Sequence, residues 1–151
     1  MKTYDIVVLK GDGIGPEIIE AALQVLSAVE KRERKFHLNC QFHDAGAAYY
    51  RTTGMNISPE TFAACQKADA ILKGPVGLPE VRHPDGTEAG LLGGVLRTGL
   101  DLYANVRPIR LFPEVSSALA GKRAGDIDYV IVRENTEGAY FSRGQGEVTP
   151  E

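Results

Sequence analysis

Apolar and polar positions follow three patterns along this chain. Ile6-Val7-Val8-Leu9 is an unbroken apolar run within Tyr4 to Lys10. Such a run predicts a strand buried on both faces, as in a parallel sheet. Ile18, Ile19, Ala22, Leu23, Leu26 and Val29 then recur at helical spacing, with Pro16 suited to the first turn. Phe36, Leu38, Cys40 and Phe42 alternate with His37, Asn39, Gln41 and His43, which predicts a half-buried strand with one polar face. On that face the two histidines read as solvated strand residues rather than a metal pair.

The pattern beyond is more broken. Asp44 to Thr53 predicts a short helix or turn closed by Gly54, and Ser58-Pro59 opens another helix with Ser58 as cap. Ala68 to Lys73 predicts a short strand ending at Gly74-Pro75. Val76 to Gly90, rich in Gly, Pro and charge, predicts a long loop, and loops of that length are often functional. Helical spacing resumes from Leu91 to Tyr103. Val106 to Leu111 and Asp128 to Arg133 predict strands, with Pro108 placing the first at an edge or a strand end. Thr136-Glu137-Gly138 is a turn signal, and Tyr140-Phe141 restarts strand. Strands and helices in this succession predict an α/β fold.

Composition narrows the classes of function. The 151 residues suffice for a sizeable core, and 43% hydrophobic with 25% charged residues is globular usage. A net charge of −3 gives no electrostatic basis for a nucleic-acid partner. No apolar run approaches the roughly 18 residues of a membrane span. Two cysteines make neither a disulfide framework nor a metal pattern, and a reducing cytoplasm is the expected location.

Candidate chemistry gathers in a few places. Gly11-Asp12-Gly13-Ile14-Gly15-Pro16-Glu17 is a tight strand-to-helix loop. It departs from the dinucleotide fingerprint, which ends on Gly or Ala where Pro16 stands, and it lacks the Gly-Lys-Ser/Thr of a phosphate loop. Arg97, Arg107 and Arg133 are three rigid guanidinium forks, each able to grip a carboxylate bidentately. Tyr140, close behind in sequence, is a phenol able to pass a proton.

The context of these residues resembles a known family. Leu96-Arg97-Thr98-Gly99-Leu100-Asp101-Leu102-Tyr103-Ala104-Asn105-Val106-Arg107-Pro108 is similar to a signature of the isocitrate/isopropylmalate dehydrogenases. So are Val130-Ile131-Val132-Arg133-Glu134-Asn135-Thr136-Glu137-Gly138-Ala139-Tyr140 and the Gly11–Glu17 loop. The resemblance covers essentially the whole chain but only the first two-fifths or so of the family's usual length.

It implies an isopropylmalate dehydrogenase-like two-domain α/β architecture, not a Rossmann fold, of which this is the N-terminal portion. Residues 1–99 would begin the first domain and 100–151 the second, the remainder of both lying outside this chain. It also implies oxidation of the 2-hydroxyl of a substituted malate by NAD or NADP, then loss of the β-carboxylate as carbon dioxide, with Mg²⁺ or Mn²⁺ polarising the new carbonyl. Arg97, Arg107 and Arg133 would hold the carboxylates, and Tyr140 would protonate the carbon that carbon dioxide leaves. Ile14 and Glu88 would lie on the cofactor side. The metal ligands and the catalytic Lys would fall outside this chain. The full-length form would be a homodimer acting on a 2-hydroxy di- or tricarboxylate.

Substrate choice is expected just before Arg97. Glu88-Ala89-Gly90-Leu91-Leu92 resembles the isopropylmalate-type stretch, in which Leu91 and Leu92 would receive a branched alkyl group; as plain residues they would be helix core. Gly93-Gly94 lengthens the stretch relative to that pattern, and Lys73-Gly74-Pro75 is closer to isocitrate-type members. 3-Isopropylmalate is favoured, tartrate, malate and isocitrate stay open, and a non-catalytic, anion-binding subunit of the same fold is the alternative.

Overall fold

The structure is a computed structural model that describes residues 1–138 together with Ser142 and Gly146. The chain forms two compact units, Met1–Gly93 and Gly94–Glu151. In the first unit, β1 (Lys2–Leu9), α1 (Gly15–Glu33), β2 (Phe36–His43), α2 (Ala47–Thr53), α3 (Pro59–Lys67) and β3 (Ala70–Lys73) follow one another. β1 lies between β2 and β3, and both pairings are parallel. The apolar run of β1 is the reason for its central place: Val7, Val8 and Leu9 are essentially sealed from solvent.

Local signals set the helix ends. α1 carries Pro16 in its first turn and closes at Arg34 in the left-handed region. It buries Ile19, whereas Ile18 and Val29, expected on the same apolar face, are exposed. α2 closes on Gly54 at φ 75°. Ser58 caps α3, its hydroxyl oxygen accepting the Thr61 amide at 3.0 Å. On the polar face of β2, His37, Asn39 and Gln41 are exposed as expected, and His43 is half-buried. His37 Nδ1 lies 2.7 Å from the Glu30 carboxylate, and this contact holds that carboxyl below its ordinary range. Phe42 breaks the alternation by lying exposed, with the Lys10 ammonium 5.4 Å from its ring centre.

The stretch 91–103 is helical over a shorter span than its apolar spacing predicts, with α4 confined to Gly93–Gly99. The chain leaves the helix at Asp101, in the left-handed region at φ 49°. There the Leu102 amide bonds to the Arg97 carbonyl at 2.9 Å and the Asp101 amide to the Thr98 carbonyl at 3.1 Å. These are the paired bonds of a Schellman closure, and they leave Leu102 and Tyr103 outside the helix.

The second unit holds an antiparallel ribbon of β4 (Ala104–Arg110) and β5 (Asp128–Glu134). Pro108 sits within β4 opposite Val130. It is tolerated because β4 has one strand neighbour among the described residues. Val106, Val130 and Val132 share one face of the ribbon and are more than half exposed. The strand restart expected at Tyr140-Phe141 lies outside the described residues. Among the described residues no helix is long and apolar enough to cross a membrane.

Candidate functional site

In the first unit the Gly11–Gly15 loop is fastened at the carboxyl end of β1. Gly11 has φ 76°, and a Cβ there would stand 2.0 Å from the Pro75 carbonyl oxygen. Only glycine meets both conditions. The Asp12 amide donates to that same carbonyl at 2.8 Å. The Asp12 carboxylate is buried and accepts three backbone amides: Ala47 at 2.7 Å, Ala48 at 2.8 Å and Gly77 at 2.9 Å. Ala47 and Ala48 begin α2, whose own N-cap, Gly46, has no side chain to offer. Asp12 therefore caps α2 from a distance and ties it to the segment after β3. Sequence reasoning missed this role, because its partners lie 35, 36 and 65 residues away.

Ile14 follows at the tip of the loop, 60% exposed. Glu88 is also exposed, and its carboxylate lies over Gly77, 2.7 Å from where a Cβ on that glycine would stand. The segments bearing these two residues thus meet at Gly77, whose amide Asp12 holds. The long loop before α4 is an ordered structure. His83-Pro84-Asp85-Gly86-Thr87 forms a turn, with the His83 amide bonded to the Thr87 carbonyl at 2.8 Å. Val81 and Ala89 sit in a small core with Ala47, flanked by Tyr50 and Leu78. The Tyr50 hydroxyl lies 3.0 Å from His83 Nδ1. At the end of this loop Leu92 is fully enclosed, whereas Leu91 is 42% exposed. Of the two, only Leu91 offers surface to a ligand.

The second unit carries the guanidinium groups. Arg97 is exposed in the last turn of α4. Arg107 on β4 lies opposite Ile131, and Arg133 on β5 lies opposite Asn105. Directly opposed residues of an antiparallel pair share a face, so Arg107 and Arg133 are diagonal neighbours on one face of the ribbon. Asn105 belongs to that face too. Its carboxamide oxygen accepts from Arg107 Nε at 3.0 Å. This bond orients the guanidinium while leaving its two terminal amino groups for a ligand. Sequence reasoning did not single out Asn105; its place two residues before Arg107 on a strand was the available signal.

Past Arg133 the chain turns sharply. The Glu134 carboxylate accepts from the hydroxyl and amide of Thr136 and, at 3.1 Å, from the Glu137 amide. These bonds, the Thr136 hydroxyl first, hold the carboxyl below its ordinary range. Asn135 is fixed by its amide to the Tyr103 carbonyl at 2.9 Å, and its carboxamide oxygen is buried with no hydrogen-bond partner among the described residues. Tyr140 lies outside the described residues. Among the described residues no three His, Cys, Asp or Glu side chains form a metal-sized group.

Comparison with known proteins adds the remaining observations. The family model described as isocitrate/isopropylmalate dehydrogenase matches residues 5–150. A probable tartrate dehydrogenase/decarboxylase of Agrobacterium vitis is 42% identical over 144 residues, 95% of this chain and 40% of that protein. A 3-isopropylmalate dehydrogenase of Beutenbergia cavernae is also 42% identical over 144 residues, again 95% of this chain and 40% of that protein. Among solved structures, isocitrate dehydrogenase from Methylococcus capsulatus superposes with a TM-score of 0.72 at 32% identity, covering 91% of this chain and 36% of that one. The chain therefore spans about two-fifths of the length of the curated relatives it matches. The mixed α/β fold with its parallel sheet is the one expected from sequence.

Proposed function

Because the chain belongs to the isocitrate/isopropylmalate dehydrogenase family, we propose that it forms the N-terminal part of an oxidising decarboxylase of 2-hydroxy dicarboxylates. The observation that carries this reading is the pair Arg107 and Arg133 on one face of the β4–β5 ribbon, with Asn105 orienting the first. Two guanidinium forks on one face suit a carboxylate flanked by a hydroxyl, and an immobilised 2-carbon is what hydride removal needs. Arg97 is proposed to take a second carboxylate. Tyr140 is proposed to return a proton to the carbon that carbon dioxide leaves.

A nicotinamide dinucleotide, NAD or NADP, would supply the hydride acceptor. The exposed apolar side chain of Ile14, at the carboxyl end of a parallel strand, fits contact with such a cofactor. Glu88 is the second residue we place beside it. The described residues do not bring together a donor set for Mg²⁺ or Mn²⁺. We place the whole enzyme in the cytoplasm as a homodimer.

For the substrate, 3-isopropylmalate is the first reading, with Leu91 against its alkyl group. The enclosed Leu92 halves the apolar surface that reading draws on, and it favours tartrate or malate as the second. An absorbance assay of nicotinamide reduction with Mg²⁺ or Mn²⁺ tests the proposal, using 3-isopropylmalate, tartrate, malate and isocitrate in turn. A protein carrying these residues and the rest of the family's length should reduce the cofactor with at least one acid and release carbon dioxide. Residues 1–151 alone should show no turnover. A full-length protein that binds these acids and turns over none would establish the non-catalytic alternative.

A further inference from the structure

We infer that Asn56 is a positioning residue for the segment that ends the specificity loop, an inference that rests on the role proposed for Leu91. The Asn56 carboxamide grips that segment at two points. Its oxygen accepts the Gly90 amide at 3.1 Å, and its nitrogen donates to the Leu91 carbonyl at 3.1 Å. The residue that grips is itself held, since its own carbonyl accepts the Gly46 amide at 2.9 Å. A narrow bridge between Ala45 and Ile57 fixes the backbone directly after it.

The segment has little freedom where it is gripped. Gly90 stands at φ 78°, and a Cβ there would lie 2.3 Å from the Cα and N of Ala47. Gly90 is thus pressed against the first residue of α2 in a conformation other residues resist. Directly after it the chain turns one leucine outward and one inward, Leu91 at 42% exposure and Leu92 at 0%. A carboxamide that holds the Gly90 N–H and the Leu91 C=O at once fixes the two peptide planes that flank this residue pair. Those planes set which leucine faces out. Asn56 has no other side-chain hydrogen bond among the described residues.

Two substitutions test this in the protein carrying the chain. Asn56→Ala removes both contacts. Asn56→Asp is nearly the same size and keeps the acceptor for Gly90, but sets an oxygen against the Leu91 carbonyl. Amide hydrogen exchange should show Gly90 opening at least about tenfold faster in Asn56→Ala, while Val8 and Leu9 in the centre of the sheet hold their wild-type rates. Asn56→Asp should keep most of the Gly90 protection yet shift the resonances of Leu91. In the full-length enzyme both variants should raise KM for an alkyl-substituted malate more than for unsubstituted malate, by at least about threefold in the ratio, with kcat for malate retained. Unchanged Gly90 exchange would overturn the clamp whatever the enzyme does. Faster Gly90 exchange with a uniform change in KM would reduce Asn56 to a stabilising residue and overturn its positioning role. A wild-type enzyme that is inactive on every malate would refute the proposed function, and the exchange of Gly90 would still decide the clamp.

Discussion

Asp12→Ala should destabilise the 1–93 unit by about 2 kcal/mol or more, since a buried amide left without an acceptor, as at Ala47, costs roughly 1–3 kcal/mol. Three amides lose their partner together: Ala47, Ala48 and Gly77. Two of them begin α2, so the helix also loses the anion at its positive end. Asp12→Asn should fall between variant and wild type. Its single carbonyl oxygen can still serve Ala47 and Gly77, the pair that share Oδ2, while its amino group confronts the Ala48 amide. Urea unfolding followed by the exchange of Val7–Leu9 amides reads the first unit without assuming one transition for the whole chain. A loss below 1 kcal/mol for Asp12→Ala would show that the three amides find other acceptors, and that Asp12 does not knit the loop, α2 and Gly77 together.

Arg107→Lys should lower kcat/KM of the full-length enzyme at least about tenfold, or roughly 1.4 kcal/mol. A lysine keeps the charge but not the fork, and it cannot take the Asn105 carboxamide on one edge while presenting two parallel donors on another. Asn105→Ala should lower it less, because the fork remains and only its orientation is lost. Activity of Arg107→Lys within twofold of wild type would remove Arg107 from the carboxylate clamp.

The strands and long helix were legible in sequence because their signals are local. Ile6–Leu9 announces a buried strand, and Ser58-Pro59 a helix start, within a few residues. The overrun of the 91–103 helix shows the limit of such signals. Leucine spacing continues past Gly99, but the left-handed turn at Asp101 ends the helix, and apolar periodicity carries no record of that turn. Asp12 and Asn56 were illegible for a different reason. Their partners are 34 to 65 residues away, and a carboxylate or carboxamide in a loop reads the same whether it caps a remote helix or faces water. Motif resemblance marked Arg107 and Arg133, but their common face rests on the pairing of Asn105 with Arg133, a register no single strand encodes.

Nitrogen NMR of arginine side chains tests the guanidinium pair most directly. Residues 1–151 would be titrated with tartrate, malate and 3-isopropylmalate, and with acetate as the monocarboxylate control. The Arg107 and Arg133 resonances should move together and saturate with the dicarboxylates at lower concentration than with acetate, while Arg110, paired with Asp128 at 3.5 Å, should move little. Shifts spread evenly over all arginines, or the same response to acetate as to the 2-hydroxy dicarboxylates, would contradict a built carboxylate site on the β4–β5 ribbon.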